Sequence, residues 1–303
     1  MGRRGQTVRR NPDRDVGVRI ATSIVIPTLE SPTLGDTLAA VEAEIAMRDD
    51  VEIIVAGRDL ARFRSGHDDA RYVETERPVF PGAARNHGAA RARGRRLLFT
   101  DSDCLPRSGW LARMEAALDR RAPVVGGGVA FGEEGYWSRA DNVALLHEYV
   151  SRRPAGFRPY LASLNFGIQR SLFERAGGFD ASLRSAEDLD LTVRLARDGA
   201  RLYFEPEATV THRPRRTGVG DLWRHHFTYG VNSARVRQRH ADVFLPPPFL
   251  ASRAAMLVLS PAIALATTAR IFLGERAVID DWPTAPAVFL AKMAWCLSVA
   301  LHD

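Results

Sequence analysis

The 303-residue sequence contains only two cysteines, Cys104 and Cys296, and they lie far apart along the chain. It has no C-x-x-C pair and no framework of regularly spaced cysteines. These absences argue against a disulfide-stabilised secreted scaffold, and they fit a reducing compartment such as the cytosol.

Other absences narrow the functional class. No zinc-finger spacing and no aromatic RNA-binding pattern accompany the net charge of +6, which comes mostly from arginine. A nucleic-acid-binding module is therefore not indicated, which leaves anionic lipids or phosphorylated substrates as partners for the positive charge. The basic N-terminal residues 1–20 are not followed by the apolar region of a secretory signal, so we expect a flexible leader.

The sequence does contain short apolar runs that alternate with helical patterns over about its first 120 residues. Ala21–Thr28, Val51–Gly57 and Arg95–Thr100 predict buried strands of a parallel sheet, and Arg71–Thr75 predicts a shorter strand. We therefore predict an α/β fold with a Rossmann-like, mostly parallel sheet flanked by helices. In such sheets, ligands bind beyond the carboxyl ends of the strands.

Small polar residues and glycine mark the expected ends of helices. Ser31 followed by Pro32, and likewise Ser108 and Ser185, stand at positions that are typical of N-caps. Gly199 is typical of the left-handed residue that follows a helix. These signals predict a helix after each of the three serines.

Two aspartates, Asp101 and Asp103, follow the strand Arg95–Thr100 with one residue between them. Neighbouring carboxylates repel each other, and a shared divalent cation would remove that cost. Mn²⁺ and Mg²⁺ prefer oxygen ligands and bridge to substrate phosphates. The motif predicts a metal that carries a nucleotide diphosphate and neutralises the leaving group, with a solvated turn as the alternative. Trp110 could stack on a sugar or lie in the core.

Four segments follow one another in an order that is typical of one enzyme family. They are SIVIPT at 23–28, GAARNHGAARARGRRLLFTDSDCLP at 82–106, LNFGIQRSLFERAGGFD at 164–180 and SAEDLDLTVRLARDG at 185–199. They resemble the first strand, the arginine-asparagine helix with the D-x-D motif, the acceptor-side segment and the E-D helix of the family 2 glycosyltransferases. The resemblance covers about Ser23 to His212 and implies a GT-A fold.

The resemblance also implies roles for individual residues. The residues expected on the donor side are Pro27, Thr28, Glu30, Arg85, Asp101 and Ser102. Asp103 would hold the metal with His212 as a further ligand, although His212 could also be a lone surface histidine. The residues expected on the acceptor side are Gly178, Phe179, Asp180 and Glu187.

In this family pattern Asp188 would be the general base, which accepts the proton of the acceptor hydroxyl as its oxygen attacks the anomeric carbon. One base and one metal, without a covalent nucleophile, imply single displacement and inversion. Helix capping is the alternative explanation, because Ser185 and Asp188 have the spacing of a capping box. Glu187 would also favour the positive end of the helix dipole. The two explanations are compatible.

The chain departs from the family pattern after its second strand. Gly57 and Arg58 stand where the family usually has aspartates that bind the base, and Asp59 is displaced. A UDP-sugar stays the expected donor, with GDP- and dTDP-sugars open.

The Q-x-x-R-W signature of processive members is absent as well, so we expect transfer of one sugar or a few. The segment Asp221–Gly230 stands at about its place. Three of its residues could line the acceptor entrance or an interface: Trp223, His225 and His226.

The C-terminal part of the sequence contains two apolar segments. Ala254–Ala269 has 16 residues without a charge, and Trp282–Leu301 is interrupted by Lys292. A spanning helix needs about 20 apolar residues, so we expect binding to a membrane surface or shallow insertion. A spanning hairpin, or helices that complete a soluble core or a dimer interface, are the alternatives. We divide the chain into the leader 1–20, a catalytic domain 21–230 and a helical region 231–303.

These features predict an inverting, Mn²⁺- or Mg²⁺-dependent glycosyltransferase that moves a sugar from a nucleotide diphosphate to an acceptor hydroxyl. The apolar tail and the arginines before it indicate a glycan or lipid-linked acceptor at the cytoplasmic side of the cell membrane. One alternative is a catalytically silent relative that acts as a binding or scaffold protein. The other is a sugar nucleotidyltransferase, which would need a glycine-rich basic loop where this chain has PTLESP.

Overall fold

The structure is a computed structural model that describes residues 19–58, 66–67, 69–133, 135–244 and 252–301. Almost all of the expected leader 1–20 lies outside these residues. Asp59 and the prolines Pro246–Pro248 also lie outside them.

Buried aliphatic runs form the first half of the central sheet. Its four strands are parallel and follow the order β3-β2-β1-β4. Helix α1 connects β1 to β2, and α2 precedes β4. The four predicted strands are confirmed to within one or two residues at each end. The strands are β1 Thr22–Leu29, β2 Val51–Arg58, β3 Ala70–Glu74 and β4 Arg96–Thr100, and the helices are α1 Leu34–Ile45 and α2 Pro81–Ala89.

The second half of the sheet is mixed and continues in the order β4-β8-β6-β9-β5, with β7 paired to β9. Strands β6 and β9 are parallel. The pairs β4–β8, β6–β8, β5–β9 and β7–β9 are antiparallel. The α/β prediction is confirmed, but parallel pairing dominates only in the first half. The strands are β5 Cys104–Pro106, β6 Val124–Phe131, β7 Gly156–Phe157, β8 Asn165–Gln169 and β9 Leu202–His212.

Four helices accompany this second half. Their bounds are α3 Trp110–Arg120, α4 Tyr136–Leu146, α5 Arg170–Arg175 and α6 Glu187–Arg197. Gly199 has φ of 84° just after α6, as its predicted role at the helix end requires.

Helix α2 packs closely onto the sheet because it carries glycine where it crosses β1. A Cβ added at Gly88 would lie 2.5 Å from Cγ1 of Val25. Such a contact is well inside van der Waals distance, so only glycine fits without a shift of the helix. This close packing sets the position of Arg85, which lies one turn earlier on the same helix.

The serine predicted to cap α1 has a different role. The helix begins at Leu34, and Thr33 precedes it without a side-chain capping bond. The hydroxyl of Thr33 donates to the carbonyl of Ser102 at 2.8 Å, and that of Ser31 lies 3.4 Å from the same oxygen. The two hydroxyls therefore hold the turn that carries the paired aspartates.

Ser108 is not the cap of α3 either. The carboxylate of Glu44 in α1 accepts the backbone N–H groups of Gly109 and Leu111, at 2.9 and 3.0 Å. A carboxylate from a neighbouring helix thus satisfies the helix start and suits its positive end. Trp110 is buried in the core, where its Nε1 donates to Oδ1 of Asn165 at 2.8 Å, so it does not stack on a sugar.

The C-terminal helices pack on α4. Their bounds are α7 Val219–Arg239, α8 Ala241–Phe244, α9 Arg253–Gly274, a 3₁₀ helix Arg276–Thr284 and α10 Ala285–Leu301. Helix α10 packs on α4, α7 and α9, and α7 also packs on the start of α6. The buried residues of this second core are Ala140, Val143, Ala144, Val150, Leu222, Ile271, Phe272, Val278, Ala287, Val288 and Ala291. The boundary predicted at residue 230 falls inside α7, which is continuous.

Two segments are long and apolar enough to cross a membrane by length and composition, Arg253–Gly274 and Arg276–Leu301. Within the protein, 33% and 44% of their most apolar windows are buried. Lys292 of α10 faces the domain, where its Nζ donates to the carbonyl of Ala144 at 2.7 Å. The lysine therefore serves the packing of α10 on α4.

Candidate active site

A cavity of about 480 Å³ lies at the carboxyl ends of β1 and β4 and extends between α4, α6 and α7. It is the place that a parallel sheet predicts for a ligand. Nine of the residues predicted for the site line it: Pro27, Thr28, Arg85, Asp101, Ser102, Asp103, Glu187, Asp188 and His212.

Arg85 links the two sides of this cavity. It is 2% exposed, and its two terminal nitrogens donate to Asp101 Oδ1 at 2.5 Å and to Glu187 Oε1 at 2.6 Å. Burial would lower the pKa of Arg85, but these two carboxylates raise it above its usual value. Burial raises the pKa of Glu187 to about 6 against the opposing charge of Arg85. The two ion pairs of Arg85 fix Asp101 relative to α6.

Asp103 and His212 meet because β5 pairs with β9 antiparallel, with Cys104 opposite His212. The His212 Nε2 atom lies 3.5 Å from Asp103 Oδ2. On the other side of the ring, Nδ1 is 2.5 Å from Oδ1 of Asn142 in α4. The amide oxygen can only accept, so it assigns the proton to Nδ1 and directs Nε2 to the cavity.

These two side chains fit a divalent metal. A carboxylate oxygen and an imidazole nitrogen that face one cavity at this separation can both bind one ion with bonds of about 2.0–2.2 Å. Burial would raise the pKa of Asp103, but His212 lowers it below its usual value. Burial opposes a proton on His212, while Asp103 raises its pKa. The Cys104 sulfur is close as well, but burial keeps its pKa high and its thiol protonated.

Asp188 stands at the start of α6 with its carboxylate held by backbone groups. Oδ2 accepts from the N–H of Ser163 at 3.0 Å, and Oδ1 accepts from the N–H of Leu189 at 2.8 Å. The predicted capping box with Ser185 is not formed, since the residue before the helix is Ala186 with φ of 64°. The hydroxyl of Ser185 is buried without a hydrogen-bond partner in the described structure. The capping box with Ser185 is therefore absent, while Asp188 accepts a first-turn N–H and both acids lie at the positive end of the helix.

Four other predicted residues lie outside the cavity lining. Glu30 is exposed, with φ of 52°. Gly178, Phe179 and Asp180 line a second, shallower cavity with Asp190 and other residues of α6 and α7.

The segment Gly178–Asp180 contacts the helix that carries Arg85. The ring of Phe179 lies 5.5 Å from the guanidinium carbon of Arg85. Asn86 donates to the carbonyl of Phe179 at 2.8 Å and accepts its N–H at 3.0 Å. Asp180 pairs with Arg239 at 3.1 Å. The segment thus connects α2 to the end of α7.

The departure at Gly57 has a steric cause. Its φ is 152°, and a Cβ there would lie 1.8 Å from the carbonyl oxygen of Thr28. An aspartate therefore cannot occupy this position without a shift of β1 against β2.

Of the cavity residues from α4 and α7, the sequence marked only His225, as a residue that lines either the acceptor entrance or an interface. His225 lines the cavity, while His226 is buried and its Nε2 lies 3.0 Å from Asp141 Oδ1. Trp223 is not among the lining residues. Other lining residues that no motif marked are Asp141, Leu145, Glu148, Tyr160, Ser163, Arg184, Arg216, Tyr229 and Arg237.

Comparisons with known proteins agree with this arrangement. The family model for glycosyl transferase family 2 matches residues 23–177, just over half of the chain. The chain is 32% identical over 191 residues to the pre-mycofactocin glycosyltransferase of Mycobacterium tuberculosis. The match covers 61% of this chain and 40% of that protein, so the chain spans less than half the length of this relative.

Two solved structures share the fold. A mannosyltransferase from Pyrobaculum calidifontis in complex with GDP-Man and Mn²⁺ has a TM-score of 0.58 and 21% identity, covering 90% of this chain and 86% of that one. GalNAc-T7 with UDP, GalNAc and Mn²⁺ has a TM-score of 0.54 and 18% identity, covering 75% and 52%. Since the family model spans more than half of the sequence and the sheet shares the GT-A fold of these neighbours, the chain belongs to glycosyl transferase family 2.

Proposed function

We propose that the protein transfers one sugar from a nucleotide diphosphate sugar to an acceptor hydroxyl with inversion, using Asp188 as the general base. The observation that carries the proposal is that Asp188 lines the same cavity as Asp101, Asp103 and His212. One carboxylate can thus receive the acceptor proton while the others hold the donor. The preferred donor is a UDP-sugar, and the blocked aspartate position at Gly57 leaves GDP- and dTDP-sugars open.

In this mechanism the protein's own groups position both reactants. Arg85 holds Asp101 beside the nucleotide, and Pro27, Thr28 and Ser102 line the same side. The N–H groups of Ser163 and Leu189 fix the carboxylate of Asp188, so that an acceptor hydroxyl can donate its proton to it. The acceptor oxygen bonds to the anomeric carbon as the bond to the diphosphate oxygen breaks.

The metal would be held by Asp103 and His212, and Mn²⁺ or Mg²⁺ would neutralise the charge of the diphosphate when bound. Asp103→Ala should remove the metal dependence of donor binding. The measurement is the donor dissociation constant with and without Mn²⁺. Metal-dependent binding that survives in Asp103→Ala would contradict this ligand assignment.

We also propose that the outer face of α9 lies on the cytoplasmic membrane surface and that the acceptor is a lipid or lipid-linked glycan. The support is a row of apolar side chains on this helix, with Val258 76% and Leu265 63% exposed. Surface binding fits the burial of parts of both apolar segments better than spanning does.

Deletion of the C-terminal helices would be a poor test, because α10 is part of the second core. We therefore suggest a Val258→Asp/Leu265→Asp variant in a vesicle co-sedimentation assay. Met47→Asp is the control, since this methionine is also exposed but lies in the turn after α1. The α9 variant should lose vesicle binding and the control should keep it; equal binding by both would contradict the membrane proposal.

Transfer itself is tested with labelled UDP- and GDP-sugars, Mn²⁺ and a bacterial lipid extract. We expect label in the lipid fraction, lost when EDTA is added. Label that enters only water-soluble glycans would contradict the lipid acceptor. The absence of nucleotide release from every donor would overturn the proposed activity.

A further inference from the structure

The segment that follows β9 is attached to α4 by a buried serine. The backbone N–H of Arg216 donates to the hydroxyl of Ser138 at 3.0 Å. That hydroxyl in turn donates to the carbonyl of Pro214 at 2.5 Å. Ser138 is buried, so these bonds fix the backbone of the segment where it passes the cavity.

The side chain of Arg216 forms an ion pair with α4, in which neither of the two facing atoms has a hydrogen-bond partner among the described residues. Its Nε lies 3.2 Å from Oδ2 of Asp141, which is 1% exposed, while the guanidinium side chain is 22% exposed. The other oxygen of Asp141 faces Nε2 of His226 at 3.0 Å. Burial would raise the pKa of Asp141, but the hydrogen bond from His226 and the neighbouring positive charges lower it. Asp141 is therefore a buried negative charge that pairs with Arg216 at the cavity, which both residues line.

Of the four arginines among the cavity-lining residues, Arg216 is the one placed at the metal side. Arg85 donates both terminal nitrogens to Asp101 and Glu187. Arg184 precedes α6, and Arg237 stacks on the ring of Phe244 at 4.7 Å. Arg216 pairs with Asp141 in α4, and the next residue of that helix, Asn142, contacts His212.

We propose that Arg216 binds the diphosphate of the donor and stabilises the nucleoside diphosphate as it leaves. This inference rests on the proposed function. When the bond between the anomeric carbon and the phosphate oxygen breaks, its electron pair stays on that oxygen. The diphosphate gains negative charge there, and a guanidinium has five N–H donors, enough to meet Asp141 with Nε and phosphate oxygens with its terminal nitrogens.

The test compares nucleotides that differ by one phosphate. The dissociation constants of UDP, UMP, GDP and GMP are measured by calorimetry on the full chain with Mn²⁺. In Arg216→Gln, we expect about a 10- to 100-fold loss of nucleoside diphosphate affinity, since hydrogen bonds to charged groups are strong. The monophosphate should weaken less than about threefold. Arg216→Lys should lie between, because it keeps the charge but not the planar fork.

The matched control is Arg215→Gln, which changes an exposed arginine on the same segment that is not among the cavity-lining residues. It should leave all four constants unchanged. Because Arg216→Gln leaves Asp141 buried without its arginine, the Asp141→Asn/Arg216→Gln double variant is measured as well. It removes both charges and should show the same selective loss of diphosphate affinity.

Two outcomes would overturn the inference while the proposed function stands. One is wild-type diphosphate affinity in a folded Arg216→Gln or double variant. The other is an equal loss for diphosphate and monophosphate, which would make Arg216 a structural residue. If the wild-type chain binds neither UDP nor GDP and no dTDP-sugar protects it, the proposed function fails and this inference fails with it.

Discussion

The two walls of the cavity are built in different ways. The donor wall, which comprises Pro27, Thr28, Arg85, Asp101, Ser102 and Asp103, comes from β1, α2 and the turn after β4. The helical wall, which comprises Asp141, Leu145, Leu146, His225, Tyr229 and Arg237, comes from α4 and α7. The donor wall rests on the parallel half of the sheet, whereas the helical wall rests on a second core shared with α9 and α10.

This difference shows that the C-terminal helices help to form the cavity: α7 lines it, and α9 and α10 share a core with α4 and α7. Helix α4 packs on α7, α10 and the 3₁₀ helix with one face. With another face it offers Asn142 to His212 and Asp141 to Arg216. His212 is thus oriented by α4, and the packing of α4 depends on the 3₁₀ helix and α10.

The largest effect is expected at Asp188, which stands between the two walls. Asp188→Asn should lower the rate of sugar transfer by about 10²- to 10⁴-fold, because the amide cannot accept the acceptor proton. Donor affinity should be unchanged. The control is Asp198→Asn at the other, exposed end of α6. A transfer rate near that of the wild type would show that another group is the base.

The dependence of the helical wall on the second core is tested by Leu222→Ala in α7. Leu222 is fully buried in that core, so its truncation should lower the free energy of unfolding by about 2–5 kcal/mol. Leu257→Ala on the exposed face of α9 should cost less than about 0.5 kcal/mol. Urea unfolding curves measure both, and a small effect at Leu222 would mean that the helices are attached loosely.

The contact between Asn142 of α4 and His212 at the end of β9 is tested by Asn142→Leu. Loss of the amide oxygen frees the His212 ring to rotate and change its tautomer, so Mn²⁺ affinity should fall by about 10- to 100-fold. Asn232→Leu is the control, since the Asn232 amide donates to the Thr228 carbonyl within α7. Titration of Mn²⁺ in the presence of nucleotide gives the affinities. Equal affinities in the two variants would remove the proposed coupling of α4 to the metal side.

A smaller effect is expected from Glu187, whose pKa of about 6 lies above its ordinary value of 4.5. Between these pH values the folded state binds more protons than the unfolded state. The free energy of unfolding should therefore fall as pH rises from about 4.5 to about 6, by about 2 kcal/mol from this group.

Glu187→Gln should lack this fall, while the exposed-site control Glu76→Gln should keep it. Urea unfolding at intervals of half a pH unit gives the comparison. An identical pH dependence in wild type and Glu187→Gln would show that burial does not perturb this carboxylate.

The sequence predicted that the residues of the donor wall lie together, because its signals are local. A buried β-branched run, a small-residue helix and two acids after a strand each lie within a few residues, and the sheet brings them together. The contacts that α4 makes with the end of β9 and the segment after it had no such signal. Asn142 and Arg216 are single polar residues, and each gains its partner only when α4 packs against the end of β9.

The predicted serine caps were wrong for a related reason. Local spacing proposes Ser108 as the cap of α3, but Glu44 from α1 reaches the same N–H groups with a full charge. At α1, the hydroxyls of Ser31 and Thr33 turn instead to the Ser102 carbonyl. At α3 the tertiary partner is charged and makes the stronger hydrogen bonds, and at α1 the tertiary partner is a neutral carbonyl.

The central claim is that this cavity binds a nucleotide sugar together with a divalent metal. It is tested most directly by thermal unfolding with UDP-, GDP-, dTDP- and CMP-sugars, each with and without Mn²⁺. A ligand at about 100 times its dissociation constant adds about 2.7 kcal/mol, which at about 2–4 °C per kcal/mol shifts the midpoint by several degrees. We expect such a shift for one nucleotide class and only with Mn²⁺. No shift with any donor, or equal shifts without metal, would contradict the claim.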